Sequence, residues 1–196
     1  MSQGARIPLA KAQRTAERVL AELSSYCSRL EVVGSVRRLR PDVGDVDILC
    51  QLHDGPLHRR GLEQRVRRNP DTKILVSGAE KLTCILPNGV QLEIYFARPE
   101  QNDLAGYTPT NWGMRMLTLT GSKEHNIFLA QLAEKRGFHL APNRGLMRGG
   151  NYVLTQDGRE YKHGTVFCSA DECKILTELG LGWIPPEQRD REVAHA

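Results

Sequence analysis

The chain has 196 residues, 40% of them hydrophobic, which fits one globular unit or a core with a small appended lobe. Lys+Arg 27 against Asp+Glu 23 gives a formal charge of +4, a mild bias toward an anionic partner that selects no function by itself. The five cysteines (Cys27, Cys50, Cys84, Cys168 and Cys173) form no C-x-x-C pair, no stretch approaches the ~18 apolar residues of a membrane span, and no signal peptide opens the chain; reduced thiols, no membrane and a soluble cytoplasmic protein are expected.

Apolar residues at Leu9, Ala12, Ala16, Val19, Leu20 and Leu23 have helical spacing and predict a helix from Pro8 to Ser24. Leu30 to Val33 reads as a short strand running into a Gly34-Ser35 turn, and Val43 to Leu52 as a second strand. Arg59 to Arg68 reads as a solvated helix face. Lys73 to Val76, Leu82 to Leu86 and Val90 to Phe96 read as strands, the last two forming a hairpin through Pro87-Asn88-Gly89. Helices are expected over 110–119 and 123–136, broken at Thr120-Gly121-Ser122. Phe138 to Leu140, Leu146 to Met147, Tyr152 to Thr155 and Tyr161 to Val166 read as strands of a small separate sheet, with Gln156-Asp157-Gly158 as a turn. Ser169 and Glu172 have the spacing of a capping box for a helix over 170–179; Pro185-Pro186 then ends the ordered fold and a polar tail follows.

The chemistry concentrates in Gly34-Ser35-Val36-Arg37-Arg38 followed by Gly44-Asp45-Val46-Asp47-Ile48. On a strand, residues i and i+2 face one side, so Asp45 and Asp47 project together while Val46 and Ile48 enter a core. Adjacent carboxylates repel unless cations join them, and oxygen ligands suit Mg²⁺, which commonly links carboxylates to substrate phosphates. A glycine turn lets backbone N–H groups and the Ser35 hydroxyl approach a phosphate, with Arg38 and Arg37 adding charge-assisted contacts. A two-metal site needs a further carboxylate on a neighbouring strand. In Gln91-Leu92-Glu93-Ile94-Tyr95-Phe96 the alternation puts Glu93 on the polar face, where an ordinary exposed residue is the competing reading.

The string GSVRRLRPDVGDVDIL resembles the nucleotide-binding signature of family X (polymerase beta-like) DNA polymerases. RIPLAKA is similar to the start of that family's palm, LPNGVQLEIYF to its third-carboxylate strand, LTGSKEHN to its palm–thumb junction and LGLGWIPPEQR to its C-terminal ending, so the resemblance runs from Arg6 to Arg189. It implies an α+β fold: a nucleotidyltransferase palm (a mixed sheet with flanking helices) over 1–119, and a thumb with its own antiparallel sheet over 120–196. It further implies that Asp45, Asp47 and Glu93 hold two Mg²⁺ ions and that Gly34, Ser35, Arg38, Gly44 and Arg6 bind the triphosphate. Gly121 and Ser122 would border the sugar, and Asn126 would reach the base.

The pattern departs from the family at three places. Glu93 stands where Asp is usual, which favours Mn²⁺ over the geometrically stricter Mg²⁺. Thr118-Leu119 replaces an aromatic pair, and only five residues precede Arg6, too few for an N-terminal lyase lobe. Arg144, Arg148 and Lys162 read equally as template-phosphate contacts or as solvated surface; His125 and His139 read as ordinary polar contacts, and Trp112 and Trp183 as packing residues. The expected function is a monomeric DNA polymerase acting in repair, adding dNTPs to a primer 3′-OH. The alternatives are a nucleotidyltransferase with an RNA, protein or small-molecule acceptor, and a DNA-binding subunit with vestigial activity.

Overall fold

The computed structural model describes residues 6–104, 106–155 and 158–190. They divide into two compact units, 1–98 and 99–196. The first contains β1 (Ile7–Pro8), α1 (Leu9–Leu23), β2 (Cys27–Val32), α2 (Gly34–Arg37), β3 (Asp42–Val43), β4 (Val46–Leu52), α3 (Pro56–Arg67), β5 (Lys73–Ser77), β6 (Lys81–Ile85) and β7 (Gln91–Phe96). The second contains β8 (Gln101–Asp103), β9 (Gly106–Thr108), α4 (Trp112–Thr120), α5 (Lys123–Lys135), β10 (His139–Ala141), β11 (Gly145–Arg148), β12 (Asn151–Thr155), β13 (Gly158–Lys162), β14 (Thr165–Cys168) and α6 (Glu172–Glu178).

In the first unit, a five-stranded sheet has the order β2-β4-β7-β6-β5. β4 and β7 run parallel and the other pairs antiparallel, so the sheet is mixed as expected. Period-two alternation sorts its faces. Val46, Ile48 and Cys50 of β4, Leu92 and Ile94 of β7, and Leu82 and Cys84 of β6 share a core with Ala12, Ala16, Val19 and Leu23 of α1 and Leu62 of α3. Burial of each large apolar side chain in that layer contributes roughly 1.5–3 kcal/mol. The alternate residues face the other way, among them Asp47, Glu93 and Tyr95.

Two local expectations change here. The strand over 43–52 is broken at Gly44-Asp45 into β3 and β4, because β3 leaves to pair with β1 while β4 pairs with β2. The Gly34-Ser35 turn opens the single-turn helix α2.

The second unit's core gathers Met114 and Leu117 of α4, Leu129 and Ala133 of α5, Leu140 and Leu146 of the sheet, and Ile175 and Leu176 of α6. Helix α4, read from sequence as the end of the palm, thus packs within this unit. Gly113 lets α4 approach the chain at the start of α6, where an added Cβ would lie 2.4 Å from the Asp171 amide nitrogen. The expected small sheet proves to be two: β10-β11-β14 and β12-β13, both antiparallel. The expected strand over 161–166 splits because His163 takes a positive φ of 61°, turning the chain between β13 and β14. Gln156 and Asp157 of the expected turn lie outside the described residues. The β8–β9 hairpin carries no alternation that announced it.

The capping box does not form. Asp171 caps α6, its carboxylate accepting the Lys174 N–H at 2.7 Å, while the Ser169 hydroxyl donates to the Thr110 carbonyl at 2.6 Å. Glu172 is instead paired with Arg189, whose side chain is 0% exposed, at 2.6 Å. The Arg189 guanidinium also donates to the Ile184 carbonyl at 2.8 and 3.0 Å. The ordered fold therefore continues beyond Pro185-Pro186, through a 3₁₀ turn over Pro186–Gln188 to the last described residues; 191–196 of the expected tail lie outside them.

Removing one member of a buried pair strands the other charge, at a cost of roughly 3–5 kcal/mol. Arg189→Ala is accordingly expected to destabilise the second unit by about that amount, and Arg189→Met with Glu172→Met to recover much of it. A urea titration in which Arg189→Ala costs under ~1 kcal/mol would overturn this account.

Candidate active site

The polar face of the first unit's sheet is built around the β4–β7 pair. The β2–β4 ladder continues one residue past β2, the Val33 N–H donating to the Asp47 carbonyl at 2.9 Å, and so lays Gly34 against the start of β4. Gly34 has φ 66°, and a Cβ there would sit 2.0 Å from Asp47 Oδ2. Both the backbone angle and the contact exclude a larger residue. From Gly34 the chain enters α2, which carries Ser35 and Arg37; Arg38 follows directly.

Asp45 precedes β4 rather than lying within it, so the two aspartates do not share a regular strand. They still converge. Glu93 stands beside Asp47 in the parallel ladder, and one carboxylate oxygen from each of Asp45, Asp47 and Glu93 lies within 4.8 Å of the others. Glu93 is not the exposed strand residue that alternation allowed, its side chain being only 12% exposed.

The cluster is electrostatically unfavourable by itself. Burial, then the charges of Asp45 and Glu93, push the Asp47 carboxyl up to about 8, against smaller opposing effects of Lys81 and Arg38. Asp45 is also raised, by burial and then by Glu93, with Lys81 opposing. Three oxygen donors converging where aspartates hold protons above their ordinary range make a donor set that fits a hard divalent cation.

Glu93 has protein partners that the sequence reading missed. Lys81 Nζ and the Tyr95 hydroxyl each lie 2.5 Å from its Oε2, and Gln91 Nε2 donates to its Oε1 at 3.1 Å. The bond to Glu93, after burial, raises the Tyr95 phenol. Counting back from the Pro87-Asn88-Gly89 turn would have found Lys81, since the hairpin register sets it opposite Tyr95 on the same face as Glu93. A cavity of about 420 Å³ lies on the other face, lined in part by Leu92.

The remaining residues selected from sequence stand in both units. Arg6 donates to the Asp42 carbonyl at 2.9 Å, and Gly44 is exposed, with open space where a Cβ would stand. In the second unit, Gly121 has φ 70° and is joined to Ser122 by a cis peptide. The Ser122 hydroxyl donates to the Arg189 carbonyl at 3.0 Å and accepts the His125 N–H at 3.3 Å. Asn126 Nδ2 donates to the Thr118 carbonyl at 2.7 Å. His125 is 1% exposed and its ring nitrogens make no hydrogen bond among the described residues, so it is not an ordinary polar contact. Burial, then the Arg189 guanidinium, lowers its pKa to about 4. His139 stacks on Tyr161 at 4.4 Å and shares a 2.9 Å hydrogen bond with Tyr152. Trp112 is buried and Trp183 is 47% exposed. Arg144 stands in the turn before β11; Arg148 lies 4.5 Å over the Phe167 ring at the end of β11; and Lys162 pairs with Glu160 at 3.2 Å on β13.

Comparison with known proteins supplies the relationship. Residues 115–190 match the DNA polymerase beta thumb. Over 191 residues the chain is 26% identical to the DNA polymerase/3'-5' exonuclease PolX of Bacillus subtilis (strain 168), an alignment covering 96% of this chain and 29% of that protein. Both similarities point toward the family X polymerases. The chain spans under a third of the curated relative's length. Among the described residues, no helix is long and apolar enough to cross a membrane.

The elevated Asp47 carboxyl has a consequence for stability. Its folded value of about 8 lies above the ~3.9 of an unfolded aspartate, so between these values the folded chain binds the extra proton. The resulting stabilisation is complete below the unfolded value and is lost as pH rises through the folded one. In the presence of a chelator, Asp47→Asn should therefore exceed wild type in Tm at pH 8.5, with the gap narrowing toward pH 5. A pH-independent difference in thermal melts would contradict the assignment.

Proposed function

We propose that the protein is a DNA polymerase-type nucleotidyltransferase that adds deoxynucleotides to a primer 3′-OH in DNA repair, its first unit serving as the palm and its second as the thumb. The observation that carries this reading is the convergence of Asp45, Asp47 and Glu93 beside the Gly34 turn. The family relationship supports it. In this assignment Asp45, Asp47 and Glu93 would hold the divalent ions. Such ions neutralise charge on the transferring phosphate and lower the barrier to attack on phosphorus.

The chain's own residues have distinct tasks. The backbone at Gly34-Ser35 and the Ser35 hydroxyl receive triphosphate oxygens, and Arg38, whose charge already acts on Asp47, compensates their negative charge. The family resemblance offers Gly121, Ser122 and Asn126 of the second unit as candidates for contact with the nucleotide's sugar and base, and Arg144, Arg148 and Lys162 as candidates for contact with template phosphates. The primer 3′ oxygen forms a bond to the α-phosphorus as the α–β bridging P–O bond breaks, and pyrophosphate leaves. The 3′-OH proton passes to solvent, its loss favoured by the negative charge of Glu93 nearby.

A second reading, a DNA-binding subunit with vestigial activity, draws on the occupation of Glu93 by Lys81 and Tyr95. Extension of a labelled primer, with and without template, separates the two. The polymerase reading expects templated extension that Asp47→Ala abolishes while the variant remains folded. Robust extension by Asp47→Ala would remove the carboxylate site from the chemistry.

Two variants divide binding from chemistry. Arg38→Ala should raise the nucleotide KM more than it weakens DNA binding; the reverse would place Arg38 on the DNA. Glu93→Ala should leave nucleotide affinity nearly unchanged and slow single-turnover extension by ~100-fold or more, about 2.7 kcal/mol of transition-state stabilisation. Equal rates in wild type and Glu93→Ala would make Glu93 an ordinary strand residue.

A further inference from the structure

Resting on the metal-dependent reading above, we propose that Lys81 is a positioning residue: a built-in counter-ion to Glu93 that sets how tightly the three-carboxylate site takes a divalent cation. Lys81 opens β6 opposite Tyr95 in the antiparallel register, with Thr83 opposite Glu93. Its side chain crosses diagonally to Glu93 Oε2 at 2.5 Å, with Nζ 5.2 Å from the centre of the Tyr95 ring. Diagonal neighbours in a sheet lie within reach of so long a side chain.

An exposed strand ion pair ordinarily contributes little, because water screens it and two flexible side chains must be ordered. This pair differs in its acid. Glu93 is 12% exposed, and its Oε2 also receives the Tyr95 hydroxyl at 2.5 Å while Oε1 receives Gln91 at 3.1 Å. A carboxylate offers about four lone-pair sites. Three donors from Lys81, Tyr95 and Gln91 leave room for one further partner and hold in place a carboxylate that has one oxygen within 4.8 Å of those of Asp45 and Asp47.

Lys81 also changes the charge that an arriving cation meets. With all carboxylates ionised, Asp45, Asp47 and Glu93 supply three negative charges, of which Lys81 cancels one. A cation therefore competes with a positive charge already attached to one of its ligands. Replacing Lys81 by an uncharged residue removes that opposition, and in a partly desolvated site a unit charge a few ångströms from a divalent ion changes its affinity by about tenfold or more. The lysine thus trades metal affinity for an ordered third carboxylate. Because the nucleotide brings its own charge, this restraint acts most strongly on the nucleotide-free protein.

The test is a Mn²⁺ titration of the nucleotide-free full chain, with free Mn²⁺ read by electron paramagnetic resonance. Lys81→Met should bind Mn²⁺ at least ~10-fold more tightly than wild type, and Lys81→Arg within ~3-fold of it; Lys81→Gln makes the same comparison should the Met variant fold poorly. In a Glu93→Gln background the gain from Lys81→Met should be clearly smaller than in the wild-type background, the remainder being the charge of Lys81 that also reaches Asp45 and Asp47, a dependence on Glu93 that a merely structural lysine would not give. Equal affinities for wild type and Lys81→Met overturn the proposal. So does an undiminished Lys81 effect in the Glu93→Gln background, which would mean that the lysine does not act through Glu93. If wild type and every variant alike bind no Mn²⁺, the carboxylate-site reading itself falls, and the inference with it.

Discussion

Repulsion among Asp45, Asp47 and Glu93 is the constraint around which the first unit is arranged. Bringing three carboxylates within 4.8 Å of one another on a half-buried sheet face opposes folding. The chain tolerates it because the same strands are fixed from behind: Val46, Ile48, Leu92 and Ile94 alternate with the acids and lie in the core under α1 and α3. The apolar side of the sheet thus holds the polar side in a geometry that the carboxylates alone would abandon. Gly34 tightens the arrangement further by placing backbone where any side chain would collide with Asp47.

The second unit uses charge in the opposite way. Arg189 and Glu172 are buried, close and mutually compensating, and the arginine also closes on the Ile184 carbonyl. Ser122 adds a hydrogen bond to the Arg189 carbonyl, so the corner between α4 and α5 is tied to the segment that follows the 3₁₀ turn. His125 lies in this environment as a neutral ring. Where the first unit leaves like charges facing each other, the second buries Arg189 and Glu172 as a compensated pair.

How much of this was legible in the sequence depends on the range of the interaction concerned. Asp45, Asp47 and Glu93 could be selected because alternation and motif order are local properties, and the hairpin between β6 and β7 was marked by its turn. Lys81 was missed because its importance arises only from cross-strand register, which had to be counted back from that turn. The Ser169–Glu172 capping box failed for a related reason. Both side chains had the right spacing for a local bond, but Thr110 and Arg189, distant in sequence, offered partners of their own and Asp171 took the cap. The break at Gly44-Asp45 escaped notice because strand propensity does not report that β3 and β4 pair with different neighbours.

The parallel pairing of β4 with β7 carries an implication for how the site comes into being. Parallel neighbours cannot be joined by a tight turn, and here α3, β5 and β6 intervene between Asp47 and Glu93. Closing that long loop is entropically costly and relies on native contacts across the whole sheet. An unfolded or half-assembled chain therefore possesses the Asp45–Asp47 pair but not the complete trio. Any ion needing all three oxygens will distinguish the finished domain from its precursors, and by mass action will draw the population toward it. Such an ion would act as a clasp across the crossover, joining β4 to β7 only once the strands between them had assembled.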